Sequence, residues 1–100
     1  MSSLPWHLYL LECDGRAIYT GITTDVTRRF AEHTAGRSRA ARYTRGARHV
    51  RLLYTVELGD RALTARAEYR LKQLPRATKV RIAEECPARA ALLDLLNLAP

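Results

Sequence analysis

Two tyrosines ten residues apart, Tyr9 and Tyr19, an arginine ten residues further on, Arg29, a histidine at i+4 from it, His33, and a downstream carboxylate, Glu68, stand out in this chain by type and spacing. The guanidinium of Arg29 offers a planar fork of donors that suits a phosphate. His33, with an unperturbed pKa of about 6.5, can act as a base or a proton relay, and on a helix it shares a face with Arg29. A tyrosine, with a pKa of about 10, is a poor base unless neighbouring positive charge depresses it. Each side chain also has a plain structural explanation. The tyrosines can be strand aromatics filling a core, Arg29 and His33 a solvated helix face, and Glu68 the i, i+4 partner of Lys72. Taken together and in register, the five form a candidate shared site.

The residues that are absent narrow the chemistry. No Gly-rich phosphate loop, Ser/His/Asp arrangement or carboxylate cluster appears, which argues against a nucleotide-driven or two-metal enzyme. His7 and His49 have no ligand-spaced partners and read as strand residues. Cys13 and Cys86 are too far apart in sequence to suggest a disulfide framework and sit in no CxxC or Cys/His cluster, which suits a reducing cytoplasm. No long apolar run or signal-like segment is present, so the reading is a protein without membrane contact, expected in the cytoplasm.

Charge points to an anionic partner. The chain carries a formal charge of +7, and 15 of its 17 basic residues are Arg. The distribution is uneven: between His33 and Val56 six Arg occur without a single acid, among Gly36, Gly46, Ser38 and Thr44. Arg37, Arg39, Arg42, Arg45 and Arg48, with Tyr43 as the aromatic among them, read as a loop that contacts a nucleic-acid phosphate backbone, and the charge pattern does not choose between DNA and RNA. The alternative is a solvated charged loop.

The elements that must position these groups follow from pattern. His7 to Cys13 and Ile18 to Ile22 are β-prone runs on either side of Asp14-Gly15, a hairpin signal. A helix over about 25 to 35 opens at Thr23-Thr24-Asp25 and closes at Gly36. His49 to Leu58 suits a third strand. Leu63, Ala67, Leu71 and Leu74 recur at helical spacing and define a helix from 61 to 74, stopped by Pro75. Ala77 to Glu85 is a shorter helix, and Cys86-Pro87 opens a last one whose leucines can close the core. A chain of 100 residues suits one domain over 1–100 with one modest core. The order ββαβααα predicts an α+β fold, a small three-stranded antiparallel sheet flanked by helices.

The run YTGITTDVTRRFAEH (19 to 33), preceded by WHLYLLECDG (6 to 15) and followed by AEYRLKQL (67 to 74), resembles the GIY-YIG nuclease superfamily, in its small stand-alone bacterial branch. The likeness spans roughly residues 6 to 80. It implies that Tyr9 and Tyr19 are the tyrosines of the first and second motifs, the latter helping to activate the attacking water. It further implies that Arg29 stabilises charge on the scissile phosphate, that His33 fills a position held in relatives by His or Tyr, and that Glu68 ligates a single divalent metal, Mg²⁺ or Mn²⁺. The first motif reads His7-Leu8-Tyr9 rather than Gly-Ile-Tyr, and Ile22 stands where some relatives carry a lysine. The activity the resemblance implies is metal-dependent DNA endonuclease cleavage in repair or recombination, with a structure-directed choice of substrate left open. The competing expectations are a nucleic-acid-binding module that keeps the fold without catalysis, and a partner-binding adaptor built on residues 88 to 98.

Strand parity tests the shared site. A two-residue loop would pair residue 13 with 16 and set the two tyrosines on opposite faces. A three-residue loop of Cys13, Asp14 and Gly15 pairs Glu12 with Arg16 and Tyr9 with Tyr19, and places both rings on one face. Gly21 shares that parity, and its missing side chain is expected to leave space for a phosphate beside Tyr19.

Overall fold

The computed structural model describes residues 4–35 and 49–100. It contains strands β1 (Trp6–Cys13), β2 (Ala17–Thr23) and β3 (Val50–Gly59) and helices α1 (Val26–Ala35), α2 (Arg61–Lys72), α3 (Arg76–Glu85) and α4 (Arg89–Leu95), in the order ββαβααα. The sheet is antiparallel with β1 in the middle, order β2-β1-β3, so the fold is the expected α+β arrangement.

The central position of β1 explains its uninterrupted apolar run. Leu8 and Leu10 are buried on one face, Tyr9, Leu11 and Cys13 on the other, so both faces are covered and no polar alternation is needed. The first face joins Tyr54, Leu58, Leu63, Ala67, Leu71, Ile82, Leu92, Leu93 and Leu96 in the main core, under α2, α3 and α4. α4 thus spends Leu92 and Leu93 on the core and leaves only Leu95 exposed, and this core packing removes the support for an adaptor built on the C-terminus. The opposite face receives α1, whose His33 meets the tyrosine rings there.

The hairpin keeps the expected parity but not the expected pairing. Asp14 (φ 53°) and Gly15 (φ 68°) are both left-handed, and Arg16 N–H donates to Cys13 C=O at 3.0 Å, as in a type I′ turn. Cys13 then pairs with Ala17, so the loop is Asp14-Gly15-Arg16 and the register is displaced by two residues: Tyr9 faces Gly21, and Leu11 faces Tyr19. The Asp14-Gly15 turn signal and the odd loop length both hold because Arg16 is the unpaired residue. Asp14 also ties this loop to the start of β3: its N–H donates to His49 C=O, and its carboxylate accepts from His49 N–H, each at 2.8 Å.

Helix ends follow side-chain chemistry. Asp25 Oδ1 accepts from Arg28 N–H at 3.0 Å at the start of α1, and Asp60 caps α2 through Leu63 N–H at 3.2 Å. α2 stops at Lys72, two residues earlier than the apolar spacing predicts, because the helix unwinds ahead of Pro75. Cys86 (φ 48°) ends α3 in the left-handed region ahead of Pro87. Arg70 reaches from α2 to donate to the carbonyls of Leu96 and Asn97 at 2.8 and 2.9 Å, closing the end of α4.

Candidate active site

Three rings meet on the sheet face covered by α1. The centroids of Tyr9 and Tyr19 are 6.2 Å apart, those of Tyr9 and His33 6.0 Å, and those of Tyr19 and His33 5.0 Å. Parity brings the tyrosines together: as diagonal neighbours on adjacent strands they share a face, and one turn of α1 beyond Arg29 sets His33 over them. Tyr9 Oη lies 3.1 Å from His33 Nε2 in a buried contact. His33 is 2% exposed and Tyr9 likewise 2%, whereas Tyr19 is half-buried and stands nearer to solvent.

Gly21 has a different purpose from the one its position suggested. A Cβ there would land on the Tyr9 ring, against Oη and Cζ and 2.9 Å from Cε1. The space is therefore taken by Tyr9, not reserved for a phosphate beside Tyr19. The two-residue displacement of the register sets Gly21, instead of Tyr19, opposite Tyr9, and only glycine lets the ring lie flat across β2.

Burial sets the protonation of this cluster. Desolvation, reinforced by the neighbouring Tyr19, raises the Tyr9 pKa well above the ordinary 10.0, and the opposing pull of Arg29 does not reverse it. Tyr9 therefore remains a phenol, because its exclusion from water outweighs the positive charge of Arg29. Desolvation and then the charge of Arg29 lower the His33 pKa from 6.5, so the imidazole is neutral at neutral pH. With its proton on Nδ1, the imidazole accepts the Tyr9 hydroxyl at Nε2.

The two charged candidates stand close enough for both to act on the Tyr9 hydroxyl electrostatically, Arg29 from α1 and Glu68 from α2. Each is held by a partner on its own helix. Arg29 Nη1 is 3.2 Å from Glu32 Oε1, and Glu68 Oε2 is 3.4 Å from Lys72 Nζ. Among the described residues no group of three or more His, Cys, Asp or Glu is placed to hold a metal ion. His7 pairs with Glu57 at 3.7 Å and stays a strand residue. Arg37, Arg39, Arg42, Tyr43, Arg45 and Arg48 lie outside the described residues. Sequence spacing missed the reason for Gly21 and the Asp14–His49 link, since both depend on a register that composition does not reveal.

The sequence profile of the GIY-YIG catalytic domain matches residues 5–81, more than half of the chain and a span within which the five candidate residues fall. The chain belongs to the GIY-YIG family. That membership places it in an endonuclease superfamily, and its relatives place it among small stand-alone bacterial proteins. It is 45% identical over 93 residues to the UPF0213 protein YhbQ of Salmonella typhimurium, covering 93% of this chain and 91% of that one. The UPF0213 protein YhbQ of Escherichia coli O8 is 44% identical over the same length. The solution NMR structure of the UPF0213 protein BH0048 from Bacillus halodurans is similar at 38% identity with a TM-score of 0.50, over 79% of this chain and 82% of that one. Among the described residues no helix is long and apolar enough to cross a membrane.

Proposed function

We propose that this protein is a metal-dependent DNA endonuclease that hydrolyses phosphodiester bonds, selects its substrate by structure more than by sequence, and serves DNA repair or recombination. The observation that carries this reading is the convergence of Tyr9, Tyr19 and His33 on one sheet face, within electrostatic reach of one guanidinium and one carboxylate.

In this reading Arg29 turns from Glu32 to the nonbridging oxygens of the scissile phosphate, where a planar fork of donors stabilises developing charge. Tyr9, kept protonated by burial, anchors His33 through Nε2 and so acts as a positioning residue. Tyr19 is the tyrosine that solvent and phosphate can reach and helps to activate the attacking water, while His33, its Nε2 taken by the Tyr9 hydroxyl and its Nδ1 protonated, assists by holding the ring cluster in place. A single oxygen donor suits a hard divalent ion, Mg²⁺ or Mn²⁺, whose remaining positions are filled by water and substrate phosphate, and Glu68 is the residue that would hold it. Such an ion supplies Lewis-acid stabilisation of the phosphate and the leaving group. The Arg37 to Arg48 run supplies phosphate-backbone contacts along the DNA, in keeping with the net charge of +7.

The test is a cleavage screen on single-stranded, duplex, flap and branched DNA with Mg²⁺ or Mn²⁺, with Tyr19→Phe and Glu68→Ala as controls. Divalent-dependent cleavage confined to the wild type supports the reading. Salt-sensitive binding without cleavage on any substrate would leave the chain a nucleic-acid-binding module.

A further inference from the structure

Glu68 already carries a cation of its own chain. Lys72, one turn along α2, sets Nζ 3.4 Å from Oε2, with the lysine side chain 48% and the glutamate side chain 23% exposed. Of the two side chains the lysine is the more exposed, so the pair is open to solvent at its ammonium end. An exposed i, i+4 pair is weak, so an arriving divalent charge displaces it without disturbing the helix. The displaced ammonium, on a flexible four-carbon stem, remains one helical turn from Glu68, where a phosphate drawn to Glu68's ion would be the strongest acceptor on offer.

We propose that Lys72 is a positioning residue that exchanges partners: it neutralises Glu68 in the free protein and moves to a substrate phosphate once Glu68 has taken a divalent cation. This rests on the reading of Glu68 as the cation ligand. It accounts for a site whose anionic member is stored as an ion pair, just as Arg29 is stored on Glu32. The exchange keeps the lone carboxylate from repelling the incoming phosphate before the cation is in place.

Two measurements read the two halves of the exchange. The first titrates Mn²⁺ into ¹⁵N-labelled protein without nucleic acid and follows paramagnetic broadening of the Ala67, Glu68 and Tyr69 amides. Lys72→Met, which keeps the stem and removes the charge, is expected to lower the half-effect concentration about 1.4- to 2.3-fold, the factor set by losing one i, i+4 pair. The second measures duplex DNA binding in Ca²⁺ against salt, where the same variant is expected to reduce the slope of log affinity on log salt by about 0.9, one phosphate contact. Lys72→Arg should restore both. If Lys72→Met leaves either quantity unchanged while Glu68→Ala abolishes the broadening, the exchange is wrong and the Glu68 reading survives. If Glu68→Ala leaves the broadening intact, the Glu68 reading itself falls, and the exchange with it.

Discussion

Tyr9 is the residue whose part changes most between sequence and structure. Its spacing from Tyr19 marks it as chemically interesting, and the structure makes it the buried support of His33, packed onto the bare backbone of Gly21. Gly21→Ala is expected to destabilise the fold by about 1–3 kcal/mol, the range for overpacking a filled site. In a Tyr9→Ala background most of that loss should vanish, because the added methyl then meets space, and a double-mutant cycle by urea denaturation reads the coupling. Equal losses in both backgrounds would mean that Gly21 is needed for another reason. Tyr9→Phe keeps the ring and removes the buried hydroxyl that hydrogen-bonds to His33 and Tyr19, so about 1–2 kcal/mol of stability should go with it. The depressed His33 pKa has a definite sign: the folded state disfavours the imidazolium, so the unfolded chain binds more protons below pH 6.5. Stability should be full above 6.5 and decline as pH falls from there through the lower folded value, and His33→Gln should flatten that decline. What the sequence could not disclose at this scale is contact across strands. Whether Gly21 faces a phosphate or a phenol turns on a two-residue displacement of register.

At the scale of elements, pattern was a good guide where burial is one-sided. Leu63, Ala67 and Leu71 fall on the buried face of α2, and Asp60 caps it through Leu63 N–H. The Asp14-Gly15 turn and its odd loop were also legible, because left-handed backbone and strand parity are local properties. The links between elements were not. Asp14 bonds both backbone groups of His49, which anchors the hairpin loop to the first residue before β3, and nothing in either residue's neighbours announces it. Arg70, one of 15 arginines, is distinguished only by the α4 carbonyls it closes. Arg70→Met should therefore lower stability by about 1 kcal/mol or somewhat more, the usual magnitude for a charge-assisted hydrogen bond, whereas an arginine without such partners would be neutral. Thr20 makes the opposite case. It is 2% exposed on β2, and its hydroxyl has no hydrogen-bond partner among the described residues. Thr20→Val should raise the urea midpoint by about 1 kcal/mol equivalent, and a fall would mean that the hydroxyl is satisfied after all.

At the scale of the whole molecule, a small fold places its chemistry at the junction of two coverings. The sheet is packed on one face by α2, α3 and α4 and on the other by α1, and the candidate groups come from both: Arg29 and His33 from α1, Glu68 from α2, with the tyrosines on the strands. Fold class and family were readable from the chain because the motif residues and the element order agree, and residues 5–81 match the GIY-YIG catalytic domain. The charge state of the site was not, since it follows from how completely α1 excludes water from the rings. The net charge of +7 predicts DNA affinity that falls steeply with salt, while the chemistry rests on far fewer groups. Binding and cleavage should therefore separate in the variants. The measurement that bears most directly on the shared site is the single-turnover cleavage rate, in Mn²⁺ and at saturating protein, of Glu68→Ala against wild type on the DNA structure that the wild type cuts best. A fall of about a hundredfold or more with DNA affinity retained is the predicted result, in line with the loss of a group that stabilises the transition state. An unchanged rate would contradict the account.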